Sequence, residues 1–205
     1  MKTMAGRKRN FNKDEALDKA MRVFWDNGFT GTSLADLTDA LGINKPSLYA
    51  AFGNKEQLFQ AAMDHYIQHY GSPLLKHLSQ PEDLPLLQRL ENYLFAMVEL
   101  NCSEDAPKGC FVVRSCCESG GAGMPDDISS TMQDISYSVE QFLCDVLQSE
   151  QQKGQLRTDL DAKEMAAYIL SVMYGLSVMA RRGKSCDELK AIVRAAIKTM
   201  DLQNE

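Results

Sequence analysis

Apolar residues in this chain recur at three- and four-residue intervals almost from end to end, and no run alternates over the length of a strand. Read against glycine, proline and capping residues, that spacing predicts about nine helices and an all-α fold. The first helix is expected over 13–27, stopped by Gly28, with Ala16, Leu17, Ala20 and Phe24 on one face. A second opens at Thr32 or Ser33 and ends at Leu41 before Gly42; Leu34, Leu37 and Leu41 form its stripe. A third runs from Asn44 or Lys45 to Phe52. A fourth starts at Asn54 and continues past Tyr70 toward Gly71 and Pro73. The later ones are longer, over 84–101, 108–119, 126–153, 161–182 and 186–200. Three short helices followed by longer ones divide the chain into a small domain, 1–58, and a larger one, 59–205.

The second and third helices, SLADLTDALGINKPSLYAAF, are joined by a tight turn at Gly42. That is the layout of a helix-turn-helix. Leu37, Leu41, Ile43, Leu48 and Phe52 supply the apolar contacts that fix the angle between the two. The polar INKPS is then a helix start: Asn44 is an N-cap, and Pro46 falls in the first turn, where no intrahelical donor is lost. In such a motif the N-terminal residues of the second helix face base edges. Asn44, Lys45, Pro46 and Ser47 occupy that place, and Lys45 can pair with guanine acceptors or phosphate. Tyr49 points off the core face and can reach a phosphate. Thr32 and Ser33 at one helix start, and Lys55 at another, suit phosphate contacts that position without reading sequence.

Charge changes this picture only locally. The chain carries a net −6, yet residues 1–60 hold nine basic against seven acidic residues, starting with Lys2, Arg7, Lys8 and Arg9. A basic end on an acidic protein can still meet a polyanion. The basic start has no apolar segment behind it, so no secretory signal is read, and no apolar run reaches the roughly 18 residues of a membrane span. The expected location is the cytoplasm, with no membrane partner.

The stretch TSLADLTDALGINKPSLYAAFGNKEQLF resembles the DNA-binding region of the TetR-type (tetracycline-repressor-like) transcriptional regulators. The resemblance rests on Thr32-Ser33, Gly42-Ile43-Asn44, Leu48-Tyr49, Phe52 and Lys55-Glu56-Gln57-Leu58, with Gly28-Phe29 and Gly31-Thr32 upstream. It covers about residues 10–60. Pro46 departs from the family pattern, where a small residue is usual. The resemblance implies a double-stranded operator DNA partner, a helical effector-binding domain, and a homodimer paired through the last two helices. Met165, Ile169, Val172, Met173 and Leu176 give an apolar stripe there, with Gly175 allowing close approach; an internal core face reads the same way. Two recognition helices would stand roughly 34–36 Å apart, one turn of DNA.

Three effector readings stay open. PKGCFVVRSCCE resembles a segment of a family subset in which a cysteine opens the sixth helix, and some such members respond to electrophiles or oxidants. Cys110 is the candidate thiol sensor, with Cys116 and Cys117 on the same helix; a helix N-terminus and Lys108 would lower its pKa. Buried cysteines acting as small apolar fillers are the plain alternative. His65 and His69, at i and i+4, have bidentate metal spacing, but such pairs on an exposed helix are ordinarily plain polar residues, and no metal site or cofactor is expected. An apolar small molecule could lie among Met97, Phe95, Phe111, Phe142, Tyr168, Met173 and Tyr174.

The expected function is an effector-responsive DNA-binding regulator, a repressor released by a small molecule or by thiol modification. A metal-responsive regulator and a sequence-independent nucleic-acid-binding protein are the alternatives. No GxSxG, Gly-rich phosphate loop or HExxH is present, so no enzyme is expected. The six cysteines form no CxxC, and a disulfide framework is not expected.

Overall fold

A computed structural model describes residues 12–79 and 84–200. The basic Lys2, Arg7, Lys8 and Arg9 lie outside the described residues. The chain forms α1 (Lys13–Gly31), α2 (Leu34–Leu41), α3 (Lys45–Phe52), α4 (Lys55–Tyr66), a π-helical turn (Ile67–Gly71), α5 (Ser72–Ser79), α6 (Leu86–Cys102), α7 (Phe111–Glu118), α8 (Asp126–Gln152), α9 (Ala162–Arg181) and α10 (Cys186–Thr199). The regular part of α1 ends where expected, since Gly28 takes φ +78 and breaks the helical path.

One expectation changes. Gly71 and Pro73 do not stop the fourth helix: α4, the π turn and α5 run on as one rod. Ser72 N–H reaches back five residues to the Ile67 carbonyl, so the ladder changes register just where Pro73 has no N–H to give.

Helix starts are set locally. Asn12, Ser33, Asn44, Asn54, Asp161 and Ser185 each accept a backbone N–H from the first turn of the helix they precede. Ser33 with Asp36, Asn54 with Gln57 and Ser185 with Glu188 are reciprocal capping boxes.

Two apolar cores follow. The first gathers Phe24, Trp25, Phe29, Leu37, Leu48, Phe52, Leu58 and Phe59, and continues into Tyr66, Phe111, Ile128 and Met132. Edge-to-face rings run through it: Phe24–Phe59 at 5.1 Å, Phe59–Phe111 at 5.5 Å, Tyr66–Phe111 at 5.6 Å and Trp25–Tyr66 at 4.9 Å. The head, α1 to α3, therefore shares its core with α4, α7 and the start of α8 in the rest of the chain, the body. The second core joins α5, α6, the end of α8, α9 and α10. A buried ion pair stitches it: Arg89 meets Glu150 at 2.9 Å while donating to the carbonyls of Leu78 (2.7 Å) and Leu84 (3.1 Å). The stripe expected for pairing is largely internal, because Ile169, Met173 and Leu176 are buried in this core. What α9 leaves outside is Tyr168, Val178 and Met179.

Candidate nucleic-acid interface and effector cavity

The turn between α2 and α3 is built by Gly42 in the left-handed region, φ +66, ψ +33. A side chain there would strain the backbone. Gly42 N–H and Ile43 N–H donate to the Asp39 and Thr38 carbonyls, closing α2. Leu48 and Phe52 then face Leu37 and Leu41 inside the head, and each such side chain contributes roughly 1.5–3 kcal/mol of burial. Anchoring those two leaves the other side of α3 free. Lys45, Pro46, Ser47 and Tyr49 are exposed, Tyr49 by 47%. Asn44 is exposed as well, with Oδ1 accepting from Ser47 N–H at 2.9 Å. The five lie together on the first turns of one short helix.

Thr32 belongs elsewhere. It is 2% exposed and its hydroxyl donates to the Gly28 carbonyl at 2.6 Å, while its N–H donates to Phe29. It closes the end of α1 and is not available as a surface contact. Ser33 is exposed, but its hydroxyl oxygen accepts from Asp36 N–H, and Asp36 accepts from Ser33 N–H. A carboxylate therefore already occupies that helix start. Lys55 is half-buried, its Nζ 4.2 Å from the Phe29 ring centre; burial lowers its pKa, opposed by the charges of Glu56, Glu118 and Asp36.

The body holds a cavity of about 410 Å³ between the π turn, α6, α7, α8 and α9. Of the side chains expected around an apolar ligand, Met97, Phe142, Met173 and Tyr174 line it. Phe111 is in the head core, Phe95 lies under Lys190 and Arg194, and Tyr168 is exposed.

Cys110 is on the cavity wall, at the N-cap of α7, where Tyr66 donates its hydroxyl proton to the sulfur (3.3 Å). Its pKa is the reverse of the expectation. Burial pushes the thiol up, and the Tyr66 hydroxyl and the Val113 and Val112 amides only partly offset this. Lys108 is no help: its Nζ donates to the Cys102 and Ser103 carbonyls instead. Cys116 sits behind the wall near Tyr174 and is pushed up by burial too. Cys117 is exposed and does not join the other two. His65 and His69 stack at 4.1 Å, but His69 Nδ1 lies 2.8 Å from the His65 carbonyl, and among the described residues no three His, Cys, Asp or Glu side chains cluster as a metal site.

Residues 16–62 match the family model of the bacterial regulatory proteins of the tetR family, and residues 87–196 match that of the tetracyclin repressor-like C-terminal domain. The HTH-type transcriptional repressor ComR of Escherichia coli (strain K12) is 35% identical over 202 residues, covering 97% of this chain and 93% of that one. The chain belongs to the TetR family. The HTH-type transcriptional repressor BdcR of the same strain is 32% identical, covering 95% and 93% of the two chains. Among solved structures, a cysteine mutant of the TetR-family regulator CifR, complexed with 26-bp double-strand operator DNA, superposes with a TM-score of 0.86 at 32% identity, covering 95% of this chain and 100% of that one. The protein is an effector-responsive DNA-binding transcriptional regulator of this family.

In this TetR-family chain, head and body are joined by polar contacts that the sequence did not announce. Arg181 on α9 donates to the carbonyls of Trp25 (3.2 Å), Asp26 (3.0 Å) and Lys108 (3.1 Å). Arg114 on α7 donates to the Asn27 carbonyl at 2.8 Å. Both cations therefore satisfy open carbonyls at the end of α1. Trp25 Nε1 donates to the Gly109 carbonyl at 2.9 Å. Gly109 has φ +82, and a Cβ there would lie 2.7 Å from Arg181 Cγ and 2.9 Å from the Ser177 carbonyl. The residue before Cys110 is thus clamped between α1 and α9. The lone tryptophan was the one sequence signal for this joint; the arginines carried none, because their partners are backbone carbonyls. Cys102 and Cys186 were also missed as a pair. Burial and a hydrogen bond with the Cys186 thiol push Cys102 up to about 12.

Proposed function

We propose that the protein is a homodimeric repressor that acts in the cytoplasm, has no catalytic activity, and leaves its operator when the cavity behind Cys110 is filled or its thiol is modified. The observation that carries this is the placement of Cys110. It lines the cavity on one side and is covalently next to Gly109, which is hydrogen-bonded to Trp25 at the end of the head's first helix. Anything that moves Cys110 moves the joint. The exposed face of α3, with Asn44, Lys45, Pro46, Ser47 and Tyr49, reads and positions the operator. Ser33 and Lys55 supply phosphate contacts at the rim. The pairing face is the outer side of α9, where Tyr168, Ser171, Gly175, Val178 and Met179 follow one helical stripe and a Cβ at Gly175 meets nothing within 4 Å.

The raised pKa of Cys110 shapes the chemistry. Thiolate is scarce at neutral pH, so an agent that merely diffuses past reacts slowly, and one held in the cavity next to the sulfur has the advantage. Binding must favour the released state over the operator-bound one, or nothing shifts. The test is fluorescence anisotropy of operator DNA with reduced protein, before and after N-ethylmaleimide, for the parent and Cys110→Ser. Release in the parent and retention in the variant are expected. Release in both points to another cysteine, and retention in both removes the thiol route.

A further inference from the structure

Asn101 is the anomaly of the body. It lies on the last turns of α6, is 0% exposed, and lines the cavity. Among the described residues, neither its Oδ1 nor its Nδ2 has a hydrogen-bond partner. Buried amides are nearly always paired, so one that is not marks a place where a partner belongs. Its backbone carbonyl accepts from Gly109 N–H at 2.9 Å, which ties Asn101 to the turn that carries Cys110. Most other polar groups on this wall are engaged: Tyr66 donates to Cys110, Tyr93 to Met173, Ser136 is paired with Tyr174, and Thr131 and Ser138 donate to backbone carbonyls, while Ser72 is exposed. Among the described residues, no lysine or arginine lines the cavity, and the one carboxylate on it, Asp134, is exposed.

Building on the reading of this cavity as the effector site, we propose that Asn101 is its polar anchor and that the effector is a neutral, mainly apolar molecule carrying one amide-like group. That group accepts from Nδ2 and donates to Oδ1, as two amides pair. Such an array rejects an analogue without the group, because the protein's own donor and acceptor then stay unpaired. The missing lysine and arginine argue against an anion, and the apolar lining from Met97, Phe142 and Met173 takes the rest of the molecule.

The test uses two probes that share one ring system, 2-naphthamide and 2-methylnaphthalene, with the full-length reduced protein and with Asn101→Leu, by titration calorimetry. Parent protein is expected to bind 2-naphthamide roughly tenfold or more tightly than 2-methylnaphthalene. Asn101→Leu is expected to lose or reverse that preference while still binding 2-methylnaphthalene. Equal binding of both probes by the parent leaves the effector cavity standing and overturns the anchor; a water held permanently by Asn101 gives this result. Preference unchanged in Asn101→Leu overturns the anchor as well. No binding of either probe to the parent overturns both the anchor and the cavity. If Asn101→Leu does not fold, the parent's selectivity between the two probes decides the matter alone.

Discussion

Ser47 and Tyr49 face outward because Leu48, between them, is buried, and Lys45, on the first turn of α3, is exposed as well. A residue one step either side of a core anchor on a helix is turned outward, so the exposed set follows from the buried one. Lys45→Ala is expected to weaken operator binding by about 1–3 kcal/mol and to relax discrimination if it reads a base, or to lower the salt slope by about one if it meets a phosphate. Anisotropy at several salt concentrations separates the two. Leu48→Ala is expected to cost about 2–5 kcal/mol of stability, read as a fall in denaturation midpoint, because Leu48 is fully buried and its loss leaves a gap in the head core. Cys110 has a chemical signature of its own. Its pKa is raised by burial, so thiolate is the minor form throughout the neutral range, and alkylation by N-ethylmaleimide is expected to climb about tenfold per pH unit across that range. Peptide mapping after timed alkylation measures it; a rate that levels off below pH 8 contradicts the burial argument.

At the scale of elements, the two arginines that close α1 matter most. Arg181→Ala removes donors to Trp25, Asp26 and Lys108 together. The expected result is operator binding close to the parent's but a blunted response to N-ethylmaleimide, a loss of part of the roughly 1–3 kcal/mol typical of such coupling. A variant that releases DNA as fully as the parent would show that the joint is only structural. The body has its own clamp in Arg89 and Glu150. Burial raises the Glu150 pKa, but hydrogen bonds and charge from Arg89 and Lys153 win, and it ends below its ordinary 4.5. A depressed carboxylate stabilises the fold above its unfolded pKa and loses that contribution as pH falls through the folded value. Thermal stability is therefore expected to drop below about pH 4.5 in the parent, and Glu150→Gln is expected to be less stable at pH 7 with a flatter acid limb. Elements were the most legible level. Capping residues and the period of apolar positions place every helix but α5 within a few residues, since both signals are local. The π turn over Ile67–Gly71 and the continuation of the rod through Pro73 in α5 were not legible, because a register change in the backbone ladder leaves no side-chain pattern.

The whole molecule is a head whose core runs into the body through Phe59, Tyr66 and Phe111, with a cavity just beyond that junction. Sequence showed the helix-turn-helix and the outward face of α3, because a short motif with a fixed turn needs particular residues at particular places. It did not show which cysteine faces the cavity chemically, since burial, not sequence neighbours, sets the Cys110 pKa; nor did it show Asn101, an ordinary residue until its partners are counted. It left the Met165–Leu176 stripe open between a pairing face and a core face, because periodicity does not say which side is inside; the structure buries Ile169, Met173 and Leu176. The most direct test of the account is sequence-selective binding by the exposed face of α3. Reduced protein is titrated by anisotropy against DNA from the region upstream of its own gene and against a scrambled duplex of the same composition, with Lys45→Ala and Tyr49→Phe beside the parent. The account predicts a dissociation constant on the order of 10⁻⁸ M or tighter for the native duplex, at least about a thousandfold selectivity over the scrambled one, and weaker binding in Lys45→Ala. Equal binding of both duplexes, unaffected by Lys45→Ala, would contradict it.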